Sequence, residues 1–386
     1  MNRIFANIKG DRKLLIFVLV IILLSFIPVY SASSNLANIS RHSSTVTFLV
    51  KHFVHVSLGL VVLYFTQKFP YKYFRKLRFI LLPAVAGLLL FTLAKGTTIG
   101  GANASRWIRI PGMGTFQPST AAGVVLMIYV AGYLSKYFNE KITFVDSLKK
   151  LWFPVFGVLM LILPANFSTT AIIFTMVLIM CFIGRYPIKY LFSILGMGLV
   201  AFSFFILMVK AFPDLMPNRV DTWVSRIESF SDNEDKQANY QVEKAKIAIA
   251  SGGLMGRGPG KSVQKNFLPQ SSSDFIYAIV VEEFGLIGGV FVVGLYLFLL
   301  VRVLKISNNA DSLFGQLLVL ALGFPIVFQS MINMAVAVQI FPVTGQTLPL
   351  ISSGGTSIWM TCFSLGVILG VSGQSLNVNS QKVKDE

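Results

Sequence analysis

Ten long apolar stretches divide the chain, and polar or charged residues separate them. They lie at about residues 14–30, 45–66, 77–95, 118–137, 150–165, 168–184, 187–211, 274–303, 312–336 and 355–373. A helix that crosses a bilayer needs about 20 apolar residues, and its backbone groups must pair within the helix. The pattern therefore predicts an all-α polytopic membrane protein with ten transmembrane helices, of which the fifth and sixth form a tight hairpin.

Composition narrows the class of protein further. Hydrophobic residues make up 54% of the 386 residues and charged residues 13%, whereas a soluble chain carries about 25% charged residues. These values exclude a soluble enzyme, a disordered scaffold and a disulfide-stapled secreted domain. The first stretch also resembles a signal peptide, but spanning stretches continue along the whole chain, so we interpret it as a first membrane helix that stays attached.

The net charge is +17, and the Lys and Arg residues lie mainly between the apolar stretches. This distribution indicates membrane topology rather than nucleic-acid binding. Strongly basic connections alternate with short connections that hold far fewer cations, namely Arg41, Arg106 and Arg109. Because basic connections stay on the cytoplasmic side, the pattern predicts that both termini are cytoplasmic.

Residues 212–273 predict one large extracytoplasmic loop between helices 7 and 8, since long loops cross the membrane largely regardless of charge. The eight cations of this loop are Arg219, Arg226, Lys236, Lys244, Lys246, Arg257, Lys261 and Lys265. They indicate an anionic partner, and a lipid-linked diphosphate suits them. The alternative is adhesion to an anionic lipid surface.

A serine cluster at residues 271–273 and Asp274 come directly before the eighth apolar stretch. Serines in this position are typical of a helix cap, which would place Asp274 in the first helical turn at the outer membrane surface. The helix dipole favours an ionised carboxylate there, and such a group can act as a general base. Helix capping alone is the alternative.

Glu282 and Glu283 follow in the same stretch, roughly 12–13 Å deeper at the rise of an α-helix. Charges at that depth are costly and are usually paired or functional. Lys51, His52 and His55 in the second stretch are candidate partners, and Lys51 and His55 lie one turn apart on one face. Two interpretations remain open, a structural ion pair and a proton relay of a transporter.

Two further outer segments are unusually polar. Arg106 and Trp107 lie in the loop that leads to Gln117 and Ser119, at the start of the fourth helix. Residues 337–354 are too polar and too interrupted for a span, and we expect a re-entrant-like outer loop that lines a cavity.

These motifs, in this order, resemble the SEDS family, which includes FtsW, RodA and SpoVE. The matching stretches are Ser-Arg-Trp-Ile at 105–108, Phe-Gln-Pro-Ser at 116–119, Ser-Gly-Gly-Leu at 251–254, Leu-Pro at 268–269, Asp-Phe-Ile-Tyr-Ala at 274–278, Glu-Glu-Phe-Gly-Leu-Ile-Gly at 282–288, Pro-Val-Thr-Gly at 342–345 and Ser-Ser-Gly-Gly at 352–355. The resemblance covers essentially the whole chain, as a single membrane domain over 1–386. Residues 260–265 are closer to the FtsW and SpoVE pattern than to that of RodA.

The resemblance implies a multi-pass enzyme of the bacterial cytoplasmic membrane, a peptidoglycan glycosyltransferase that polymerises lipid II at the outer face in cell division. It implies inverting transfer, in which Asp274 takes the proton of the acceptor hydroxyl and undecaprenyl diphosphate leaves. The substrate-binding residues that it implies are Arg106, Trp107, Gln117, Ser119, Lys246, Gly252, Lys265, Ser352, Gly354 and Gly355. Of these, Arg106, Lys246 and Lys265 are the candidates for balancing the diphosphate charge.

The implied partners are a class B penicillin-binding transpeptidase, other division proteins, and lipid II with its undecaprenyl lipids. A divalent cation, Mg²⁺ or Mn²⁺, is compatible with this chemistry, but the sequence shows no dedicated cluster of metal ligands. Alternative functions are a lipid II flippase, for which Lys51, His55 and Glu283 would supply a polar path, and a non-enzymatic division scaffold.

The chain departs from the family pattern at four places. Thr120 stands where the motif has Glu, Gly123 where Lys is usual and Asn166 where Asp is common, and residues 272–273 are Ser-Ser in place of His-Thr. Roles that depend on the lost charges do not carry over, whereas the assignment of Asp274 stands.

Overall fold

Helices occupy all ten predicted stretches in a computed structural model, which describes residues 10–39, 45–97, 106–111, 114–211, 236–268 and 270–385. Seven of the described helices are long and apolar enough to cross a membrane. The helices near 150–165, 168–184 and 187–211 are not among the seven. The fold is therefore helical with many candidate spans, while ten crossings and the predicted sidedness stay predictions.

The helices that we label are, in chain order, α1 (Arg12–Ile39), α2 (Thr45–Lys68), α3 (Phe74–Lys95), α4 (Pro118–Tyr137), α5 (Phe144–Ser147), α6 (Phe153–Ile162), α7 (Phe167–Ile183), α8 (Ile188–Ala211), α9 (Lys236–Gly252), α10 (Ile276–Asn308), α11 (Leu313–Ala337) and α12 (Gly355–Asp385). Short 3-10 turns lie at Tyr71–Tyr73 and Gln264–Asn266, and a π-helical turn, Leu148–Trp152, joins α5 to α6. The chain falls into two compact units, one comprising Met1–Phe74 and Lys236–Glu386 and the other Arg75–Asp235.

The first unit is held together by a close pairing of α2 with α12. A β-carbon added at Gly366 would lie 2.9 Å from the Leu63 carbonyl oxygen, and one added at Gly370 would lie 3.0 Å from that of Gln67. Small residues at such an interface let two helix backbones approach closely. The pair packs beside α1, α10 and α11.

The second unit contains the predicted helical hairpin. α6 ends at Ile162 and α7 begins at Phe167, after a short turn. The side chain of Asn166 accepts a hydrogen bond from the amide of Thr169 at 3.2 Å and so caps α7. The hairpin prediction is confirmed, and a capping role accounts for Asn166, which stands where the family commonly has Asp.

The expectation of a purely helical chain is wrong at one place in the second unit. Two short antiparallel strands, β1 (Ile108–Ile110) and β2 (Gly114–Phe116), pair with Ile108 opposite Phe116. Alternating Ile-Arg-Ile and a glycine at the turn suit a hairpin, but three residues a strand are too few to stand out among apolar stretches. Pro118 lies in the first turn of α4 as predicted, because its missing amide is not needed there.

The predicted large loop 212–273 has structure of its own in the residues that are described. It contains α9 and the 3-10 turn Gln264–Asn266. Arg219 and Arg226 lie outside the described residues.

Candidate functional site

Asp274 lies in a turn of residues 271–275, which we call the serine turn, immediately before α10. Its side chain is half-buried. The prediction that Asp274 occupies the first turn of a serine-capped helix is wrong, because α10 begins at Ile276 and its N-cap residue, Phe275, makes no side-chain cap. The backbone of the serine turn is engaged elsewhere in the unit.

The carbonyls of the serine turn accept hydrogen bonds from residues far along the chain. Ser353 donates to the Ser272 carbonyl through its amide at 2.9 Å and its hydroxyl at 3.0 Å. The Ser352 hydroxyl donates to the Ser273 carbonyl at 2.6 Å. The turn that carries Asp274 is therefore fixed to the residues just before α12.

Asp274 itself is held by α11. The side-chain amide of Asn333, which is buried, donates to the Asp274 carbonyl at 2.7 Å and to the Gln346 carbonyl at 2.7 Å. A β-carbon added at Gly345 would lie 3.5 Å from Oδ2 of Asp274, so a bare stretch of backbone passes beside the carboxylate.

Residues 338–354, which we call the polar loop, supply these contacts. Leu348, Leu350 and Ile351 are buried within the unit, and Leu350 takes a left-handed conformation with φ of 67°. The Tyr296 hydroxyl donates to the Pro349 carbonyl at 2.5 Å. Packed hydrophobic residues and satisfied backbone groups give this loop a defined shape beside Asp274, whereas its predicted dip into the membrane stays a prediction.

Residues 251–265 form a second element around α10, which we call the glycine-rich segment. α10 is broken at Gly285, where φ is 69° and ψ is −170°. The amides of Arg257 and Gly258 donate to the carbonyls of Glu282 and Glu283 at 3.0 and 2.9 Å. Beyond the break, the amide of Leu286 donates to a carbonyl of the same segment at 2.8 Å.

The carboxylate of Glu282 is completely buried and is surrounded by donors of the glycine-rich segment. It accepts from the Ser262 hydroxyl at 2.5 Å, from the Val263 amide at 2.9 Å and from the Gln264 amide at 3.2 Å. The guanidinium of Arg257 lies 3.9 Å away. Amides and a cation together compensate the loss of water around this charge.

Glu283 is also buried, and it accepts from the Ser31 hydroxyl and, at 3.4 Å, from the Ser262 amide. Its second carboxylate oxygen has no hydrogen-bond partner in the described residues. Lys265 donates to the same Ser31 hydroxyl at 3.3 Å and to the Gly260 carbonyl at 2.8 Å. A polar chain therefore leads from Lys265 through Ser31 to Glu283.

The expectation that Lys51 and His55 pair with the two glutamates is wrong for the described residues, where no ion pair joins them. The ammonium of Lys51 lies 5.7 Å from the centre of the Phe48 ring. His55 lies against Trp359, with ring centres 5.4 Å apart. Glu282 instead binds donors of the glycine-rich segment, and Glu283 binds Ser31 and Ser262. Backbone amides and hydroxyls can satisfy a buried carboxylate without Lys51 or His55.

The remaining predicted residues of the first unit lie around these two elements. Lys246, on α9, donates to the side chain of Gln339 at 2.5 Å. Gly252 ends α9 where a β-carbon would collide with the Val281 carbonyl. Gly354 ends the polar loop, Gly355 begins α12, and a β-carbon at Gly355 would lie 2.7 Å from the imidazole ring of His55.

Four predicted substrate-binding residues lie in the second unit. Trp107 pairs with Thr97, whose amide donates to the Trp107 carbonyl at 2.8 Å, and Arg106 precedes it. Gln117 is the N-cap residue of α4, and Ser119 is buried in its first turn. Arg106 and Trp107 directly precede the β-hairpin, and Gln117 and Ser119 directly follow it.

Three residues of the site were not singled out from the sequence: Asn333, Ser31 and Ser262. Each is a buried polar side chain that bonds another polar group of the site. The available signal is a polar residue inside or beside an apolar stretch, which is costly unless paired. Ser31 and Asn333 carry that signal, but it does not name their partners.

The described residues do not offer Mg²⁺ or Mn²⁺ a site made of protein ligands alone. No three side chains of His, Cys, Asp or Glu lie together in this part of the chain. Glu282, the carboxylate with the most contacts, is already occupied by hydrogen-bond donors.

The chain matches the family model of the cell cycle proteins FtsW, RodA and SpoVE over residues 11–377. A protein of Trichlorobacter lovleyi named "Probable peptidoglycan glycosyltransferase FtsW" is 31% identical over 384 residues, which cover 96% of this chain and 95% of that protein. A protein of Nitrosococcus halophilus with the same name is 32% identical over 357 residues, covering 90% and 88%.

Two solved structures share the fold. The rod shape determining protein RodA of Thermus thermophilus superposes with a TM-score of 0.67 at 25% identity, covering 94% of this chain and 96% of that chain. A chain from work on the structural coordination of polymerization and crosslinking by a peptidoglycan synthase complex gives a TM-score of 0.73 at 24% identity, covering 94% and 97%.

Proposed function

The chain belongs to the FtsW/RodA/SpoVE family of cell cycle proteins, and on that premise we propose how its residues carry out glycan polymerisation. It is a multi-pass protein of the bacterial cytoplasmic membrane and a peptidoglycan glycosyltransferase. The relatives named FtsW fit a role in cell division. The proposed substrate, both donor and acceptor, is lipid II at the outer face of the membrane.

The observation that carries the proposal is the mounting of Asp274. Its carboxylate is half-buried beside the bare backbone at Gly345, while its own backbone is fixed by Asn333 and the serine turn by the polar loop. A general base must be held in place and must be accessible to the proton that it removes. The fixed backbone and the partly exposed side chain of Asp274 support this role.

In the proposed reaction, Asp274 accepts the proton of the 4-hydroxyl of the acceptor sugar. The hydroxyl oxygen forms a bond to the anomeric carbon of the donor glycan, and the bond from that carbon to the diphosphate breaks. The configuration at the carbon inverts, and the electron pair leaves on undecaprenyl diphosphate. Positively charged groups aimed at the leaving diphosphate stabilise its developing charge, and Lys246, Lys265 and Arg106 are the proposed cations.

The remaining predicted contacts belong to the same proposal. Gly252 is proposed to act by letting the glycine-rich segment approach the Val281 carbonyl closely. Ser352 is proposed to act by binding the Ser273 carbonyl from the polar loop. Gly354 and Gly355 are proposed to contact substrate through the backbone at the start of α12. Trp107, Gln117 and Ser119 are proposed to bind the glycan or its lipid carrier.

A class B penicillin-binding transpeptidase is the proposed protein partner. The support is the structural likeness to a chain of a synthase complex that coordinates polymerization with crosslinking. A crosslinking enzyme uses the strand that a polymerase makes, so their association keeps the product at its point of use. Other division proteins are proposed as further partners on the strength of the family alone.

The test is polymerisation of labelled lipid II by the purified protein with its transpeptidase partner. We expect Asp274→Asn, which keeps the size of the side chain, to lower the rate by roughly 10²–10⁴-fold, the usual contribution of a general base. Asp311→Asn is the matched control, because it removes an exposed carboxylate at the start of α11. Equal polymer from wild type and Asp274→Asn would defeat the catalytic assignment.

A further inference from the structure

α10 consists of two helical pieces with different surroundings. Residues 276–284, which we call the half-helix, are almost entirely buried, and both Glu282 and Glu283 belong to this piece. Directly beyond Gly285, Leu286 and Ile287 are 52% and 59% exposed. The break therefore separates a buried piece next to Asp274 from a longer piece with an open apolar side.

The glycine-rich segment replaces the hydrogen bonds that the break removes. In an unbroken helix the amides of Leu286 and Ile287 would donate to the carbonyls of Glu282 and Glu283. Here these amides donate to the carbonyls of Gly253 and Leu254 at 2.8 and 3.4 Å.

The two freed carbonyls accept from the amides of Arg257 and Gly258 at 3.0 and 2.9 Å. All four backbone groups at the break are thus satisfied by the segment. In a continuous helix, backbone hydrogen bonds would join the half-helix to the rest of α10. Here backbone hydrogen bonds join the end of the half-helix to the glycine-rich segment instead.

The close approach depends on glycine. At Gly256, φ is +82°, and an added β-carbon would collide with the Glu283 carbonyl and lie 2.5 Å from the Gly285 amide nitrogen. The buried Glu282 carboxylate adds the side-chain part of the attachment through Ser262, Val263 and the following residue. Backbone and side-chain contacts therefore dock the segment on the same end of the half-helix.

Asp274 lies at the other end, two residues before the half-helix begins. Its carbonyl is fixed by Asn333, and its neighbours are fixed by the polar loop. The half-helix thus has one support at the carboxylate and one at the glycine-rich segment.

We propose that the glycine-rich segment is a positioning element for the catalytic carboxylate, with Gly256 and Glu282 as its positioning residues. Docking of the segment sets the orientation in which Asp274 meets the acceptor hydroxyl. The inference rests on the proposed role of Asp274 as general base. It assigns a function in the chemical step to the residues of the segment that contact α10, 253–258 and 262–264, separate from binding of the diphosphate by Lys265.

The chain offers a closely matched pair of variants, Gly256→Ala and Gly260→Ala. Both glycines lie in the segment and both have positive φ, +82° and +75°, so alanine strains the backbone similarly at either position. An added β-carbon at Gly260 meets nothing within 4 Å, whereas at Gly256 it collides with the half-helix. The difference between the two variants isolates docking from loop strain.

The experiment measures lipid II polymerisation by the full chain with its partner, normalised to folded protein, together with amide hydrogen exchange. We expect Gly256→Ala to lower kcat by about 10–100-fold, since a misplacement of about 1 Å has effects of this size, and to leave KM unchanged. We expect faster exchange in the half-helix but not in α11 or α12. Gly260→Ala should keep kcat and exchange close to wild type.

Glu282→Gln is the second variant, in case Gly256→Ala does not fold. It keeps the side-chain size but turns one acceptor oxygen into a donor that faces other donors, so we expect the same fall in kcat at constant KM. A rise in KM at constant kcat would overturn the proposal, because the segment would then bind substrate. Equal kcat in Gly256→Ala and Gly260→Ala, despite faster exchange in the half-helix, would overturn it as well.

Asp274→Asn distinguishes a failure of the proposed catalytic base from a failure of the proposed positioning role. If that variant is inactive while Gly256→Ala is as active as Gly260→Ala, only the positioning role fails. If Asp274→Asn is fully active, the proposed catalytic base fails, whatever the glycine variants show.

Discussion

Asn333 is the side chain whose replacement tests most directly how Asp274 is held. Its amide nitrogen donates to the carbonyls of Asp274 and Gln346, while its carbonyl oxygen is buried without a hydrogen-bond partner in the described residues. Asn333→Leu keeps the volume of the side chain and removes its polar atoms. Two backbone carbonyls, whose hydrogen bonds with Asn333 are part-buried, then lose this donor.

The magnitude follows from these three atoms. Loss of this donor costs about 1–3 kcal/mol for each carbonyl, so the two losses together cost about 2–6 kcal/mol. Removing the unpartnered oxygen of Asn333 relieves a penalty of about 1–3 kcal/mol. We therefore expect a net loss of about 1–3 kcal/mol in the free energy of unfolding, concentrated at the serine turn.

The assay is reversible unfolding in detergent combined with hydrogen exchange and the polymerisation rate. We expect faster exchange at residues 271–275 and a lower polymerisation rate for Asn333→Leu. Asn308→Leu, an exposed asparagine at the end of α10, is the control and should change none of the three. Unchanged stability and unchanged exchange in Asn333→Leu would refute the reasoning that this amide fixes the serine turn.

Two further predictions concern the packing of the helices. Gly366→Ile should lower the free energy of unfolding by about 1–3 kcal/mol through overpacking against the Leu63 carbonyl, whereas Gly294→Ile, with nothing within 4 Å of an added β-carbon, should be close to neutral in thermal unfolding. Arg78→Met should destabilise the second unit, because the buried guanidinium donates to the Tyr129 carbonyl at 3.1 Å; a thermal midpoint equal to wild type would contradict this.

Local patterns predicted the helices well, because apolar length and turn chemistry are local properties. The hairpin of α6 and α7 and the place of Pro118 follow from residues within a few positions of each other. The β-hairpin was missed, because three-residue strands carry little periodicity. Asp274 was correctly placed next to a helix start but was wrongly assigned to the helix itself.

The partners in the site were harder to predict, because they are distant in sequence. The serines at 271–273 have the composition of a helix cap, yet their carbonyls bind Ser352 and Ser353 some 80 residues later. Glu282 carries a charge that calls for a cation, yet it is satisfied largely by amides of the glycine-rich segment. Composition indicates that a buried polar group needs a partner, and only the three-dimensional fold shows which one it has.

The break at Gly285 also governs how mechanical force travels along α10. A continuous helix is stiff, so a displacement or rotation at one end is transmitted to the other end. In this protein a displacement near the far end, where Arg302 pairs with Asp11, meets the break before it reaches the end next to Asp274. A movement of the longer piece is therefore passed to the half-helix through the glycine-rich segment, whose Gly253 and Leu254 carbonyls bind the first amides of that piece.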